Sequence, residues 1–293
     1  IMISMKGACD LHIHTAPDIF TRIADDVETA TVCRDAGMKA IVLKCHADTT
    51  MTRAWHTQNQ VPGIRVYGGI VLNLNVGGIN PAAVDVALKM GEVEVWMPTY
   101  HSLAHYQATG LMGGYGHQGA DVKTSYPVKP ITILNEQGNL IPEVYQILEL
   151  VNQHNAIIGT SHLGADEAMK LIRAAREVGC KKVVLTHPFF NPPKCTVEQV
   201  KEAVDLGAFV EFCSGNALSP IPAPISLDLY KEVIECCGAD QLIISSDTGH
   251  PRKTMAPETS RMFAQSLTYK GVKEVDLDRM LKENYHKLIE FED

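Results

Sequence analysis

Eight short apolar runs punctuate this chain at residues 7–13, 40–45, 64–72, 93–97, 156–160, 182–186, 208–213 and 241–245, and helix-like stretches separate most of them. Most are continuously aliphatic rather than alternating, as expected for strands buried on both faces of a parallel sheet. The intervening stretches carry start and stop signals. Residues 25–36 end at Gly37, 81–90 open with Pro81 and close at Gly91, and 165–178 end at Gly179. Thr196 opens 196–206 before Gly207, Ser226 opens 226–237 before Gly238, and two more helices fit 257–269 and 276–290. These are the caps and breakers that helices use. Alternating strands and helices point to βα units, and eight strands are the number that closes a (β/α)8 TIM barrel. The 293 residues suit a single such domain, whose typical length is ~250 residues. A doubly wound open sheet is the rival fold. It loses ground because no G-x-G-x-x-G follows a strand and polar residues cluster after nearly every strand.

One region breaks the rhythm. Residues 100–130 are rich in Gly, Tyr and His without helical periodicity, and the following ITILNEQGNLI reads as a small hairpin turning at Asn135–Gly138. The 100–140 segment is therefore expected to be an insertion on the barrel, serving as a lid, a binding loop or an oligomer contact.

The twelve histidines are informative by position. His12 and His14 end the first strand, His46 the second, His162 the fifth and His187 the sixth. His101 follows the fourth, and Asp247 ends the eighth with His250 close behind. In a closed barrel those positions share one mouth, where active sites are built. Residues i and i+2 of a strand face the same way, so His12 and His14 can grip one ion. Each histidine alone also fits a satisfied polar core residue, and Asp247 alone fits a helix N-cap. Lys44, in the apolar run AIVLKCH, is costly to bury unpaired. It either meets a carboxylate, a carbamate or an anionic substrate, or snorkels outward at the strand end. Arg252 and Arg53 are expected in mouth loops, either as ordinary surface charges or as bidentate partners of a substrate carboxylate.

Taken together these motifs resemble the amidohydrolase superfamily of metal-dependent TIM-barrel enzymes. DLHIHT is similar to its first-strand H-x-H, GTSHLG and VLTHP to its fifth- and sixth-strand histidines, and SSDTGHP to its eighth-strand aspartate. The resemblance implies that His12, His14, His162, His187 and Asp247 are metal ligands or their catalytic neighbours, with Asp247 as general base and His187 beside it. It implies a divalent metal, with zinc the expected ion, one or two per chain. The departure is at the fourth strand, EVEVWMPTYH. It has no bridging lysine, and Glu92 and Glu94 are expected to lie too early to reach the mouth. A mononuclear site is one solution. Another draws on Lys44, His46, His101 or Glu211 for a second metal. The leading activity is hydrolysis of a small-molecule amide, cyclic amide or lactone by metal-activated water. Non-oxidative decarboxylation within the same superfamily is the alternative. A further resemblance, of DLHIHTAPD and SSDTGHP, is to PHP-type phosphoesterases. It would engage His46 and His250, but those enzymes favour seven strands. A non-enzymatic metal-binding barrel is the remaining class; it predicts a closed coordination sphere.

A net charge of −8 and the lack of a basic patch interleaved with aromatics argue against nucleic-acid binding. No apolar run of membrane-spanning length is present, and residues 1–7 lack the features of an export signal. A cytoplasmic enzyme with a small-molecule substrate is the expectation, on a barrel of the kind that often assembles into homo-oligomers. Of the eight cysteines none forms a C-x-x-C pair, so buried reduced thiols are expected rather than disulfides or a zinc ribbon.

Overall fold

The computed structural model describes residues 3–115, 127–218 and 224–291. Its strands are β1 (Cys9–His14), β2 (Ala40–Lys44), β3 (Arg65–Val71), β4 (Glu94–Trp96), β5 (Ile157–Gly159), β6 (Lys182–Thr186), β7 (Phe209–Cys213) and β8 (Leu242–Ser245). Each falls within or one residue from an apolar run read from the sequence. They pair in parallel and in sequential order. The circle closes through a parallel bridge between Ile13 and Thr248, with Asp247 N donating to His12 O and His14 N to Thr248 O, both at 2.9 Å. The fold is a (β/α)8 barrel. Asp10 reinforces the seam, its carboxylate accepting from His12 N at 2.8 Å and Ser246 N at 3.0 Å.

The helices are α1 (Asp26–Asp35), α2 (Met51–Gln60), α3 (Pro81–Lys89), α4 (Leu103–Thr109), α5 (Pro142–Gln153), α6 (Ala165–Val178), α7 (Val197–Asp205), α8 (Leu227–Cys237), α9 (Ala256–Tyr269) and α10 (Glu274–Leu281). Capping follows the sequence signals: Asp25 with Glu28, and Thr196 with Gln199, form capping boxes. Three helices are additional to those named from the sequence. In α2 only Ala54 and Thr57 are buried, so it carries almost no apolar stripe. The seven residues of α4 are too few to show a period, yet Ser102 caps them and Gly110 ends them at φ 71°. The stripe of α5, Val144, Ile147, Leu148 and Val151, has ordinary helical spacing.

The helix expected over 276–290 is shorter. It stops at Leu281 and gives way to a 3-10 turn over Glu283–Lys287. There Asn284 Nδ2 donates to Ala239 O and Leu242 O, each at 2.7 Å, and draws the chain beneath the barrel. The hairpin after residue 130 is reduced to an antiparallel bridge between Leu134 and Leu140 around the Asn135–Gly138 turn. Part of the 100–130 loop, residues 116–126, lies outside the described residues.

Side chains inside the barrel form layers, and β1 carries an irregularity that decides which of them reach the mouth. Asp10 pairs with Ile41 and Ile13 with Leu43, so β1 spends three steps where β2 spends two. This is a β-bulge. Below it Cys9 and Leu11 join the inner apolar cluster with Ala40 and Val42. Above it Ile13 joins the outer cluster under the helices, leaving His12 and His14 inside. Midway up, the Trp96 ring lies across the interior in a slot left by two glycines. A Cβ on Gly69 would stand 2.3 Å from the ring, and one on Gly159 2.8 Å.

Burial of the cysteines holds for Cys9, Cys33, Cys45, Cys180, Cys195 and Cys213, but Cys236 is exposed and Cys237 half-buried at the end of α8. Among the described residues no helix is long and apolar enough to cross a membrane.

Candidate metal centre at the barrel mouth

His12 stands at the centre of the mouth, with both ring nitrogens engaged. Lys44 Nζ lies 3.1 Å from Nε2, Asp247 Oδ1 3.3 Å from the same nitrogen, and Glu211 Oε2 3.2 Å from Nδ1. One tautomer serves two of the three: Nδ1–H donates to Glu211, and the Nε2 lone pair accepts from Lys44, which leaves Nε2 and the Asp247 oxygen facing each other as two acceptors. His14 brings its Nε2 to 3.4 Å from the same Asp247 oxygen. His14 Nε2, His12 Nε2 and Asp247 Oδ1 thus converge from β1 and the end of β8.

The neighbouring histidines form a wall around this group. The His46 ring stacks on His14 at 4.5 Å, His187 lies 5.8 Å from His12, and His162 lies 5.0 Å from His187. His105 stacks on His162 at 5.7 Å. All of these side chains are buried. Phe20, Tyr100, Tyr115 and Phe190 close the wall in aromatic contact with it.

Burial governs the electrostatics. It pushes His14, His46 and His162 well below the ordinary histidine range, helped by the charges of Arg22 on His14, of His14 and Lys44 on His46, and of His187 on His162. The same cause brings His187 down to about 3, so near neutrality these rings are uncharged and able to coordinate. Asp247 goes the other way. Burial opposes its ionisation, but His12, His14 and Lys253 outweigh it and hold the carboxyl well below its usual range. Burial also lowers Lys44, against the pull of Asp247, Glu211 and Glu94.

The backbone is strained at the same place. Ser161, His187 and Asp247, each just past the end of a strand, adopt φ of 50°, 29° and 50°. Such left-handed conformations are uncommon for these residues, and they cluster where function over-determines the geometry.

The donor set fits a divalent ion. Two ligands each ~2.1 Å from a tetrahedral ion stand about 3.4 Å apart, and the two histidine-to-Asp247 distances are 3.3 and 3.4 Å. The buried Nδ1 atoms of His14, His162 and His187 have no hydrogen-bond partner among the described residues. A second group, His12, Glu211 and Cys213, also falls within ligand distance. It fits less well, because Glu211 is occupied in orienting His12.

The remaining sequence candidates fall in different places. Lys44 and Glu211 join the centre. His101 does not sit with them: its Nδ1 accepts from Leu74 N at 3.2 Å and its ring packs on Tyr100 at 4.4 Å. His250 lies on the loop after β8 with Nδ1 accepting from Arg252 N at 3.1 Å, and Arg252 is exposed there. Arg53 is not a substrate clamp. It is bound to both Asp26 oxygens at 2.8 and 2.9 Å and to Thr15 O and Pro17 O, tying the loop after β1 to α1 and α2.

Glu92 indeed stays away from the mouth, accepting from Thr49 Oγ1 and Met51 N. Glu94 stands at the first position of β4, buried inside the barrel, where burial and the charge of Glu211 raise it well above the ordinary range. Three further residues were not named from the sequence. Lys253 Nζ donates to Asp247 O at 3.3 Å. Arg22, paired with Asp18 at 2.7 Å and only 4% exposed in its side chain, lies 5.4 Å over the Phe20 ring. Tyr115 brings its OH to 3.3 Å from His46 Nε2. Their only signal was membership of loops that follow strands.

Residues 7–211 match the model of a family described as a family of unknown function, DUF6282. The chain belongs to DUF6282. No curated protein matches the DUF6282 chain in sequence. Solved structures match its fold. An amidohydrolase from Pseudomonas aeruginosa is 14% identical, with a TM-score of 0.62 over 97% of this chain and 96% of that one. A 2,6-dihydroxybenzoate decarboxylase from Rhizobium is 12% identical, with a TM-score of 0.58 over 97% and 98%. A β-aspartyl dipeptidase from Fervidobacterium islandicum is 13% identical, with a TM-score of 0.65 over 98% of this chain and 73% of that one. The resemblance to the amidohydrolase superfamily read from short motifs is thus matched by the architecture of the whole barrel.

Proposed function

We propose that this DUF6282 chain is a metal-dependent hydrolase of the amidohydrolase type, acting on a small-molecule amide, cyclic amide or lactone. The observation that carries the reading is the convergence of His12 Nε2 and His14 Nε2 on Asp247 Oδ1, at 3.3 and 3.4 Å. His12, His14 and Asp247 would hold the ion, with His162 and His187 adjoining; zinc suits two neutral imidazoles and a carboxylate. When bound, such an ion supplies Lewis acidity, polarising a carbonyl and making water nucleophilic near neutral pH.

The protein's own groups do the rest. Asp247, held ionised by His12, His14 and Lys253, takes the proton of the attacking water and passes it to the leaving nitrogen or oxygen. Glu211 holds His12 in the tautomer that keeps Nε2 open. His187, uncharged near neutrality, offers hydrogen bonding to a developing oxyanion rather than a proton. The aromatic wall of Phe20, Tyr100, Tyr115 and Phe190 excludes water from one side and favours a small, partly apolar substrate.

The test is a panel of amides, cyclic amides and lactones offered to zinc-loaded protein. Turnover of at least one class, abolished in Asp247→Asn, supports the reading, and turnover of none sinks it. Decarboxylation is the second reading, supported by a fourth strand without a lysine and by the fold shared with the Rhizobium decarboxylase. Carbon dioxide release from an aromatic acid, without hydrolysis of the panel, would replace the first reading with the second. The PHP-type alternative loses support from the eight strands.

A further inference from the structure

Two arginines lie near the loop after β1, and only one of them has its donors used up. Arg53 spends every nitrogen on Asp26, Thr15 and Pro17. Arg22 does not. Its Nε donates to Asp18 Oδ2 at 2.9 Å, while its Nη2 stands 2.7 Å from that same oxygen but out of line for a hydrogen bond. Nη1 has no acceptor among the described residues. One Asp18 oxygen thus covers the inner side of the fork, and the outer edge, made by Nη1 and Nη2, is left over. The side chain is only 4% exposed, and donors buried without acceptors are costly.

The place of this edge is the mouth itself. The guanidinium carbon lies 5.4 Å over the Phe20 ring, Phe20 meets His46 at 6.0 Å, and His46 stacks on His14. Arg22 is near enough for its charge to act on His14, His46 and Tyr115. Lys44 and Lys253 are engaged elsewhere, with His12 Nε2 and Asp247 O. Two parallel donors in one plane match the two oxygens of a carboxylate. Asp18, itself fully buried, fixes the fork from its inner side, so the outer edge is pre-oriented before any ligand arrives.

We propose that Arg22 is a substrate-recognition residue, and that the substrate carries a free carboxylate held on the outer edge of Arg22 while its scissile carbonyl reaches His12, His14 and Asp247. This rests on the hydrolytic reading and narrows it, from small amides, cyclic amides and lactones at large to those that are also carboxylic acids. The short skeleton joining the two ends lies over Phe20, which suits an apolar middle between two polar ends. The anion-binding role that the sequence offered to Arg53 and Arg252 thus falls to a third arginine.

The test offers matched pairs to zinc-loaded protein: γ-butyrolactone-γ-carboxylate against γ-butyrolactone, pyroglutamate against pyrrolidinone, and succinamate against butyramide. Both kcat/KM and calorimetric affinity are read in the wild type, Arg22→Met and Arg22→Lys. The wild type should favour the acid of a pair roughly 100-fold. Arg22→Met should bring that ratio close to one, chiefly through KM, and Arg22→Lys should restore only part of it, because an ammonium has no fork. Equal treatment of acid and neutral partner by the wild type, or a preference that survives Arg22→Met and so belongs to the ion, overturns the inference and leaves the hydrolytic reading standing. Acids that bind through Arg22 without any pair being turned over would sink the hydrolytic reading and keep the carboxylate clamp. Binding of neither partner overturns both. If Arg22→Met does not fold, the wild-type ratio and Arg22→Lys, which keeps a cation beside Asp18, still decide.

Discussion

The two ends of the barrel are made by the same eight strands and obey opposite rules. At the lower end Leu11, Val42, Ile157, Phe209 and Ile243 fill the interior with apolar side chains, and Tyr285, Leu288 and Ile289 seal it from below. At the upper end the interior holds histidines, carboxylates and a lysine, with the backbone at positive φ at Ser161, His187 and Asp247. The lower end spends its burial on transfer of apolar surface out of water. The upper end buries polar groups and strained residues, each strained position costing about 1–3 kcal/mol. Stability and chemistry are thus separated along the barrel axis, as is general for this architecture.

Asp247→Asn should break the comparison most sharply. Hydrolysis is expected to fall by about 10^4-fold in steady-state assays, while the melting temperature falls only slightly. Asparagine tolerates φ near 50° well, so what is lost is the stabilisation that His12, His14 and Lys253 give the ionised carboxylate. A large loss of stability instead would mean that the upper end is structural.

Ile243→Ala, at the lower end, should do the reverse. It is expected to cost about 4 kcal/mol in denaturant unfolding, with the zinc content of the folded protein unchanged. Loss of zinc in parallel with stability would show that the ends are coupled.

Glu92 tests a buried carboxylate outside the mouth. Burial raises it to about 7 despite the bonds from Thr49 and Met51. The folded form therefore holds its proton more tightly than the unfolded chain, whose ordinary value is 4.5. Its contribution is fully present below about 4.5 and is lost as pH rises through about 7. Glu92→Gln should flatten that part of the stability profile, by about 3 kcal/mol at most, in melting curves taken between those pH values. An unchanged slope would rule Glu92 out as its source.

The smallest effect is expected at the surface. Arg173 and Glu202 form an ion pair whose side chains are 47% and 45% exposed, and Arg173→Ala should shift unfolding by less than ~1 kcal/mol and leave zinc binding alone.

What could be read from the chain beforehand follows the same division. The strands were legible because buried parallel strands are continuous apolar runs, and the helix caps because Asp25, Thr196, Ser226 and the glycines that follow use local chemistry. His12, His14 and Asp247 were legible because strand ends share one mouth. Arg53 was misassigned because its partner Asp26 lies on another element. Lys253 and Arg22 were missed because loops have no period. The polar α2 offered no stripe to count.

The bulge in β1 has a consequence of its own. The histidines face the mouth because one extra residue between Asp10 and Ile13 shifts the phase of the strand halfway along its length. Deleting a single residue there would leave composition and charge nearly as they are, yet it would turn the imidazoles toward the helices and an isoleucine toward the substrate. The proposed metal affinity would be the first property to go. The centre is written in the chain as a count as much as a set of side chains.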